Sequence, residues 1–310
     1  MPVHKVSVTA CGRYDAELLD WAVRRHFELL GIKKLLRPGM KVVVKPNLII
    51  GKPPEAAVTT HPKVVAAVVR ALKSHGVEDI TLAESSGGIY SAGYMNRIFR
   101  VTGMAEMAKA TGIKLNDDFG YKELVFEKAK RCGRFQIINP AVTADLTVNI
   151  AKLKTHAMMG FSGAAKNIFG FVPGLLKPEL HCRFPAQREF AEMLVDLAEG
   201  INPEINFIDG IIGMEGDGPT GGKPRQVGAL LAGESCFAVD IAAMKLIGFP
   251  LSDSPLHMEA VRRGHITGDF SDIELAGDPP SGIIVGDYKK SRAGSVDFVS
   301  RLPRFMRGAA

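Results

Sequence analysis

The feature that most constrains this chain is a repeated alternation between short apolar runs and segments with helical spacing. Leu18, Leu19, Ala22, Val23, Phe27 and Leu30 recur every three or four residues, and Gly31 closes that helix. The turn Arg37-Pro38-Gly39 follows, and then a strand over residues 41–44. Val64, Val65, Val68, Val69 and Leu72 repeat the helical spacing after Pro62, Gly76 is placed to cap that helix, and residues 79–83 read as the next strand. Further strands are expected over residues 4–9, 145–151, 205–208 and 227–231, and further helices over 187–199 and 235–247. Strands that alternate with helices predict an α/β fold, a mostly parallel sheet with helices on both faces. In such sheets ligands meet the carboxyl ends of the strands. The residues that follow each strand are therefore where chemistry is sought.

The length, 310 residues, suits one large α/β unit over residues 1–300 or two closely associated lobes, with residues 301–310 reading as a linker towards a further carboxyl-terminal domain. The net charge of +6 arises from 39 basic and 33 acidic residues that are interleaved, so a nucleic-acid role would rest on net charge alone, and a small anionic ligand is the better use of the excess. The cysteines, Cys11, Cys132, Cys182 and Cys236, contain no Cys-x-x-Cys pair, which leaves no spacing for a zinc ribbon or an iron–sulfur cluster. They read as reduced thiols of a cytoplasmic protein, and no apolar stretch reaches the length of a membrane span.

Six segments carry candidate chemistry. Lys45-Pro46-Asn47 follows a strand, where Lys45 and Asn47 suit a carboxylate or phosphate and Pro46 suits a plain turn. Thr59-Thr60-His61-Pro62 reads as a helix cap, with a direct role for His61 as the alternative. Glu84-Ser85-Ser86-Gly87-Gly88 follows another strand; Ser85 and Ser86 with paired glycines let a backbone approach an anion, and Glu84 could serve as base or ligand, although the spacing matches neither a P-loop nor a dinucleotide fingerprint. The densest segment is Lys152-Leu153-Lys154-Thr155-His156 followed by Gly160-Phe161-Ser162-Gly163-Ala164-Ala165-Lys166-Asn167. There a strand ends at a histidine, Ser162 is placed to cap the next helix, and Lys166 lies one turn inside it. Lys154, Lys166, His156 and a helix start on one spot suit an anion and proton transfer, with His156 as acid/base and Lys166 as clamp or anchor. His181, after Pro173-Gly174, reads as a metal ligand, an acid/base group or a surface histidine. Last, the glycine-rich stretch 209–222 follows a strand, and its Glu215 and Asp217 suit a divalent cation while its glycines suit a mobile lid. Asp240 is expected to be structural.

In this order, Lys45-Pro46-Asn47-Leu48, Thr60-His61-Pro62, Glu84-Ser85, the segment from Lys152 to Asn167, Asp209-Gly210 and Glu215-Gly216 resemble an uncharacterised domain-of-unknown-function family whose members are often fused to a carboxyl-terminal ferredoxin-type 4Fe-4S domain. That resemblance implies a ferredoxin-type partner, in cis or in trans. The run His156 to Lys166, with Pro173-Gly174, is more distantly similar to the nickel-pincer lactate racemase family. This second resemblance implies an acid/base role for His156, a covalent cofactor anchor at Lys166 and nickel ligation at His181. It departs from that family where this chain carries Ser85-Ser86 and Lys45-Pro46-Asn47, so two-base racemisation is not expected. The combined expectation is a metal- or cofactor-dependent enzyme acting on a small carboxylate or phosphate and linked to an iron–sulfur partner. A non-catalytic cofactor- or metal-handling module is the alternative.

Overall fold

The computed structural model describes residues 3–292; the linker expected over 301–310 lies outside them. Among the described residues eleven strands run in chain order: β1 (His4–Ala10), β2 (Lys41–Pro46), β3 (Asp79–Leu82), β4 (Lys114–Leu115), β5 (Tyr121–Val125), β6 (Arg134–Ile138), β7 (Leu146–His156), β8 (Gly160–Ser162), β9 (Ile205–Glu215), β10 (Lys223–Gly233) and β11 (Ile273–Gly277). Nine of these form one sheet in the order β11-β1-β10-β9-β7-β2-β3-β4, with the short β8 paired to β7, while β5 and β6 form a separate antiparallel pair. The run β9-β7-β2-β3-β4 is parallel throughout, as is β1 with β11.

Helices cover both faces. One apolar core joins the sheet to the helices Ala16–Leu30, Pro62–Ser74 and Ala92–Val101 through Leu19, Val23, Val65, Val68 and Phe99. The other joins it to Gln187–Ile201 and Cys236–Leu246 through Phe190, Leu194, Val239 and Ala243. Burial of these side chains contributes about 25 cal/mol per Å² of apolar surface, which is the main force holding helices to the sheet. Gly31 and His61 cap as expected: Gly31 sits at φ 66° after the first helix, and the His61 side chain accepts from the Lys63 amide.

Two expectations are corrected. The stretch after residue 208 is strand, not loop: β9 continues to Glu215 and turns back antiparallel as β10, which separates β9 from β1. Gly210 and Gly213 serve sheet packing, and the remaining glycines of the stretch lie in the turn between β9 and β10. A Cβ on Gly213 would lie 2.9 Å from Leu153 Cδ2, and one on Gly210 would lie 3.0 Å from the Ala229 carbonyl oxygen. The strand expected over residues 145–151 is longer than that: β7 continues to His156, the histidine at which a strand was expected to end, and Lys152 and Lys154 are buried within it.

Candidate functional site

A cavity of about 610 Å³ opens at the carboxyl ends of the parallel strands. Asn47 follows β2, Glu84 and Ser85 follow β3, and His156 ends β7, and all four reach its wall. Lys154, Ser162, Lys166, His181 and Asp217 complete the set of expected residues found there. Lys45, Ser86 and Glu215 do not line it. Lys45 stands behind the wall, its Nζ 2.6 Å from Glu84 Oε2, with both side chains buried. Ser86 Oγ accepts from its own loop, from the Gly88 amide at 3.4 Å. Gly170 closes over the Lys45–Glu84 pair so tightly that a Cβ there would lie 2.1 Å from Glu84 Oε1.

The cations dominate. Lys154 Nζ donates to Asn47 Oδ1 at 2.7 Å and to the Val58 carbonyl at 2.8 Å. Burial, with Lys166 and Lys152 nearby, pushes its ammonium down to about 7. Lys177, a residue not singled out in the sequence, donates to the Ser86 carbonyl at 3.0 Å and to that of Ser85, and burial lowers it to about 7. Its i, i+4 spacing from His181 was the available signal, since it places both on one side of the helix Leu176–Arg183. Lys166 Nζ lies over the rings of Phe169 and Phe190, 4.8 and 5.8 Å from their centroids, and burial together with Lys45 lowers it to about 8. Lys152 faces the other way, into a closed cluster with Asp209 Oδ2 at 3.0 Å and Tyr14 Oη at 2.9 Å.

His156 is held by its own turn. Its Nδ1 accepts from the amides of Met158 at 3.1 Å and Met159 at 3.2 Å. A ring nitrogen that accepts cannot carry the proton, so neutral His156 is the Nε2–H tautomer. Burial first, and Lys166, His181 and Lys154 next, hold it well below the ordinary histidine range. The ring therefore presents a hydrogen-bond donor near neutral pH, which narrows the acid/base role expected for it.

The helix Ala164–Asn167, which carries Lys166, is not capped by Ser162 as expected. Asp240, from the helix Cys236–Leu246, does this instead. Its Oδ1 accepts from the Ala164 amide at 2.5 Å and its Oδ2 from the Ala165 amide at 3.0 Å. His257 Nε2 lies 2.9 Å from the same Oδ2, and Ser254 Oγ lies 2.6 Å from His257 Nδ1. The three side chains form a serine–histidine–aspartate row but are fully buried, so they brace the helix rather than meet a substrate. The local cause is steric: a Cβ at Gly163 would lie 2.1 Å from Asp240 Oδ1, so only glycine admits the carboxylate.

A second brace is a line of asparagines. Asn206 Nδ2 donates to the carbonyls of Pro203 and Glu234, which leaves its Oδ1 to accept from Asn149 Nδ2 at 2.8 Å. Asn149 Oδ1 accepts from Asn167 Nδ2 at 2.8 Å, and Asn167 Oδ1 accepts from Asn47 Nδ2 at 2.9 Å. Asn47 Oδ1 then receives Lys154 Nζ. Every amide oxygen points along the line towards the ammonium, an arrangement in which successive hydrogen bonds polarise one another.

His181, Glu215 and Asp217 do not meet as a metal site. The His181 ring stacks on Phe190 with centroids 4.1 Å apart. Glu215 Oε2 accepts from the Lys289 amide at 3.0 Å, and Asp217 Oδ1 accepts from the Arg292 amide at 2.9 Å. Among the described residues no three His, Cys, Asp or Glu side chains gather to hold a metal ion. These residues do not fit a divalent cation bound by protein ligands alone.

Comparison with known proteins adds the following. A family model described as "Domain of unknown function (DUF362)" matches residues 42–245. A thylakoid-associated protein of Synechocystis sp. is 29% identical over 308 residues, covering 98% of this chain and 93% of that protein. Among solved structures, the lactate racemase apoprotein from Thermoanaerobacterium thermosaccharolyticum is similar with a TM-score of 0.42 and 16% identity, over 76% of this chain and 55% of that one. A protein from Thermotoga maritima is similar with a TM-score of 0.45 and 10% identity, over 77% of this chain and 60% of that one. This chain thus spans less than two thirds of either solved chain, and both similarities are too distant to assign a site. Among the described residues no helix is long and apolar enough to cross a membrane.

Proposed function

The chain belongs to the family described as "Domain of unknown function (DUF362)", and from that premise we propose that it is an enzyme that binds a small carboxylate or phosphate in the cavity at the strand ends and moves a proton on it. One observation carries this reading. Lys154, Lys166 and Lys177 converge on one cavity whose acidic residues are few: Glu84 is taken up by Lys45, and Asp217 accepts from the chain at Arg292. Buried charge is costly unless compensated, and an anion in the cavity would compensate it. The lysines sit close to neutral pH, so each can hold or release a proton there, as general acid–base work requires. His156 Nε2–H would stabilise negative charge as it develops on the ligand. No metal step is included, since the expected ligands do not assemble.

The test is calorimetric titration with inorganic phosphate and with pyruvate, at pH 8 and in two buffers of different ionisation enthalpy. Binding should be accompanied by proton uptake, because lysines lowered to about 7 or 8 recharge around the anion. Lys154→Ala and Lys177→Ala should each weaken binding about tenfold or more, the loss of one charge-assisted hydrogen bond. A wild-type protein that takes up neither anion, or that binds one with no proton uptake, would sink the proposal.

A further inference from the structure

The lysines of the site and its surroundings differ in what their amino groups touch. Lys45 is paired with Glu84. Lys152 is paired with Asp209 and Tyr14. Lys154 donates to Asn47 and Val58, and Lys177 to the carbonyls of Ser85 and Ser86. Each of these four amino groups has hydrogen-bond acceptors. Lys166 has none among the described residues: its Nζ faces the rings of Phe169 and Phe190 and opens on the cavity. Its helix is held at its start by Asp240, which accepts from the Ala164 and Ala165 amides. An amine that is desolvated, ringed by other cations and free of acceptors is the form in which lysine attacks a carbonyl.

We propose that Lys166 is a nucleophile that forms an imine with a small carbonyl compound bearing a carboxylate or phosphate group, a 2-oxo acid or a phosphorylated aldehyde; this rests on the anion-binding reading of the cavity. The Lys166 nitrogen forms a bond to the carbonyl carbon. The two hydrogens of the neutral amine and the carbonyl oxygen leave together as one water, so the step needs neither oxidant nor reductant. Lys154 and Lys177 hold the anionic group, and the Nε2–H of His156, on the same wall, is available to the departing oxygen. The resulting imine, once protonated, draws electrons from the neighbouring carbon and makes its C–H acidic. The proton transfer proposed above thereby gains a defined position on the substrate.

The experiment is reductive trapping. Purified protein is treated with borohydride in the presence of pyruvate, glycolaldehyde phosphate or acetone, digested, and read by mass spectrometry. The expected result is one reduced adduct on the peptide carrying Lys166, with pyruvate or with glycolaldehyde phosphate and not with acetone. Which of the two reacts distinguishes a carboxylate from a phosphate as the recognised group. The yield should rise through a midpoint near pH 8, where Lys166 loses its proton. Lys166→Arg, which keeps the charge, should abolish the adduct with both pyruvate and glycolaldehyde phosphate; Lys166→Met repeats the test should the arginine not fit. Circular dichroism melts confirm that each variant is folded. Phosphate binding without an adduct, an adduct on Lys154 or Lys177 instead, or equal reaction with acetone overturns the imine and leaves the anion-binding proposal standing. Absence of both adduct and anion binding overturns both.

Discussion

At the scale of single residues the most informative group is His156. A histidine at the end of a strand invites an acid/base role, yet two backbone amides occupy its Nδ1 and the surrounding lysines oppose any positive charge. We expect it to remain neutral, with the proton on Nε2, throughout pH 5 to 8. Nitrogen-15 NMR of the imidazole would show this directly, and a signal from a doubly protonated ring at pH 6 would contradict it. His156→Gln, which keeps an N–H donor, should bind phosphate better than His156→Ala. Sequence alone led to His156, Lys154, Lys166 and Asn47 because polar residues that interrupt an apolar stretch at a strand end have few bland explanations. Lys177 escaped because a lysine beside Pro178 and Glu179 looks like an ordinary solvated helix start, and only the folded chain turns it under the Ser85-Ser86 loop.

At the scale of elements the site depends on parts that never touch it. The short helix bearing Lys166 starts where it does because Asp240, about 75 residues further along the chain, supplies the carboxylate for its first amides. Local capping rules pointed to Ser162, and they fail here because Gly163 admits a buried acid from another helix. Asp240→Ala would leave two amides and His257 Nε2 without a partner in a dry interior. It should destabilise the protein by about 3 kcal/mol, above the 0.5–2 kcal/mol typical of lost helix caps. Urea unfolding would measure this, and a loss under about 1 kcal/mol would show that the brace is dispensable. The same variant should weaken phosphate binding, since Lys166 loses its fixed base. The run from Asp209 to Glu215 was misread for a related reason. Glycine spacing resembles a loop until a neighbouring strand is known to press against it.

At the scale of the whole molecule, helices on both faces of a mainly parallel sheet were legible from periodicity. The antiparallel return of β10 between β9 and β1 was not, because pairing direction is set by tertiary contacts. The fold stores its cationic site at a thermodynamic cost with a definite sign. Lys154 and Lys177 titrate at about 7 and Lys166 at about 8 when folded, against an ordinary value of 10.5, so between these limits the unfolded chain binds more protons. Stability contributed by these groups therefore rises with pH from about 7 towards 10, by up to about 1.4 kcal/mol per pH unit for each group that differs in protonation. Below pH 7 both states carry the protons, and these lysines add no slope. Denaturant midpoints measured across that range should climb in the ligand-free protein and flatten with saturating phosphate; a flat profile without phosphate would contradict the burial of charge described here. The line from Asn206 through Asn149, Asn167 and Asn47 to Lys154 has a consequence for inheritance. Because each amide must face one way for the next to be satisfied, no single member can change without stranding its neighbour. Across descendants of this chain these positions should be kept or exchanged together, as one heritable character written in four separate parts of the gene.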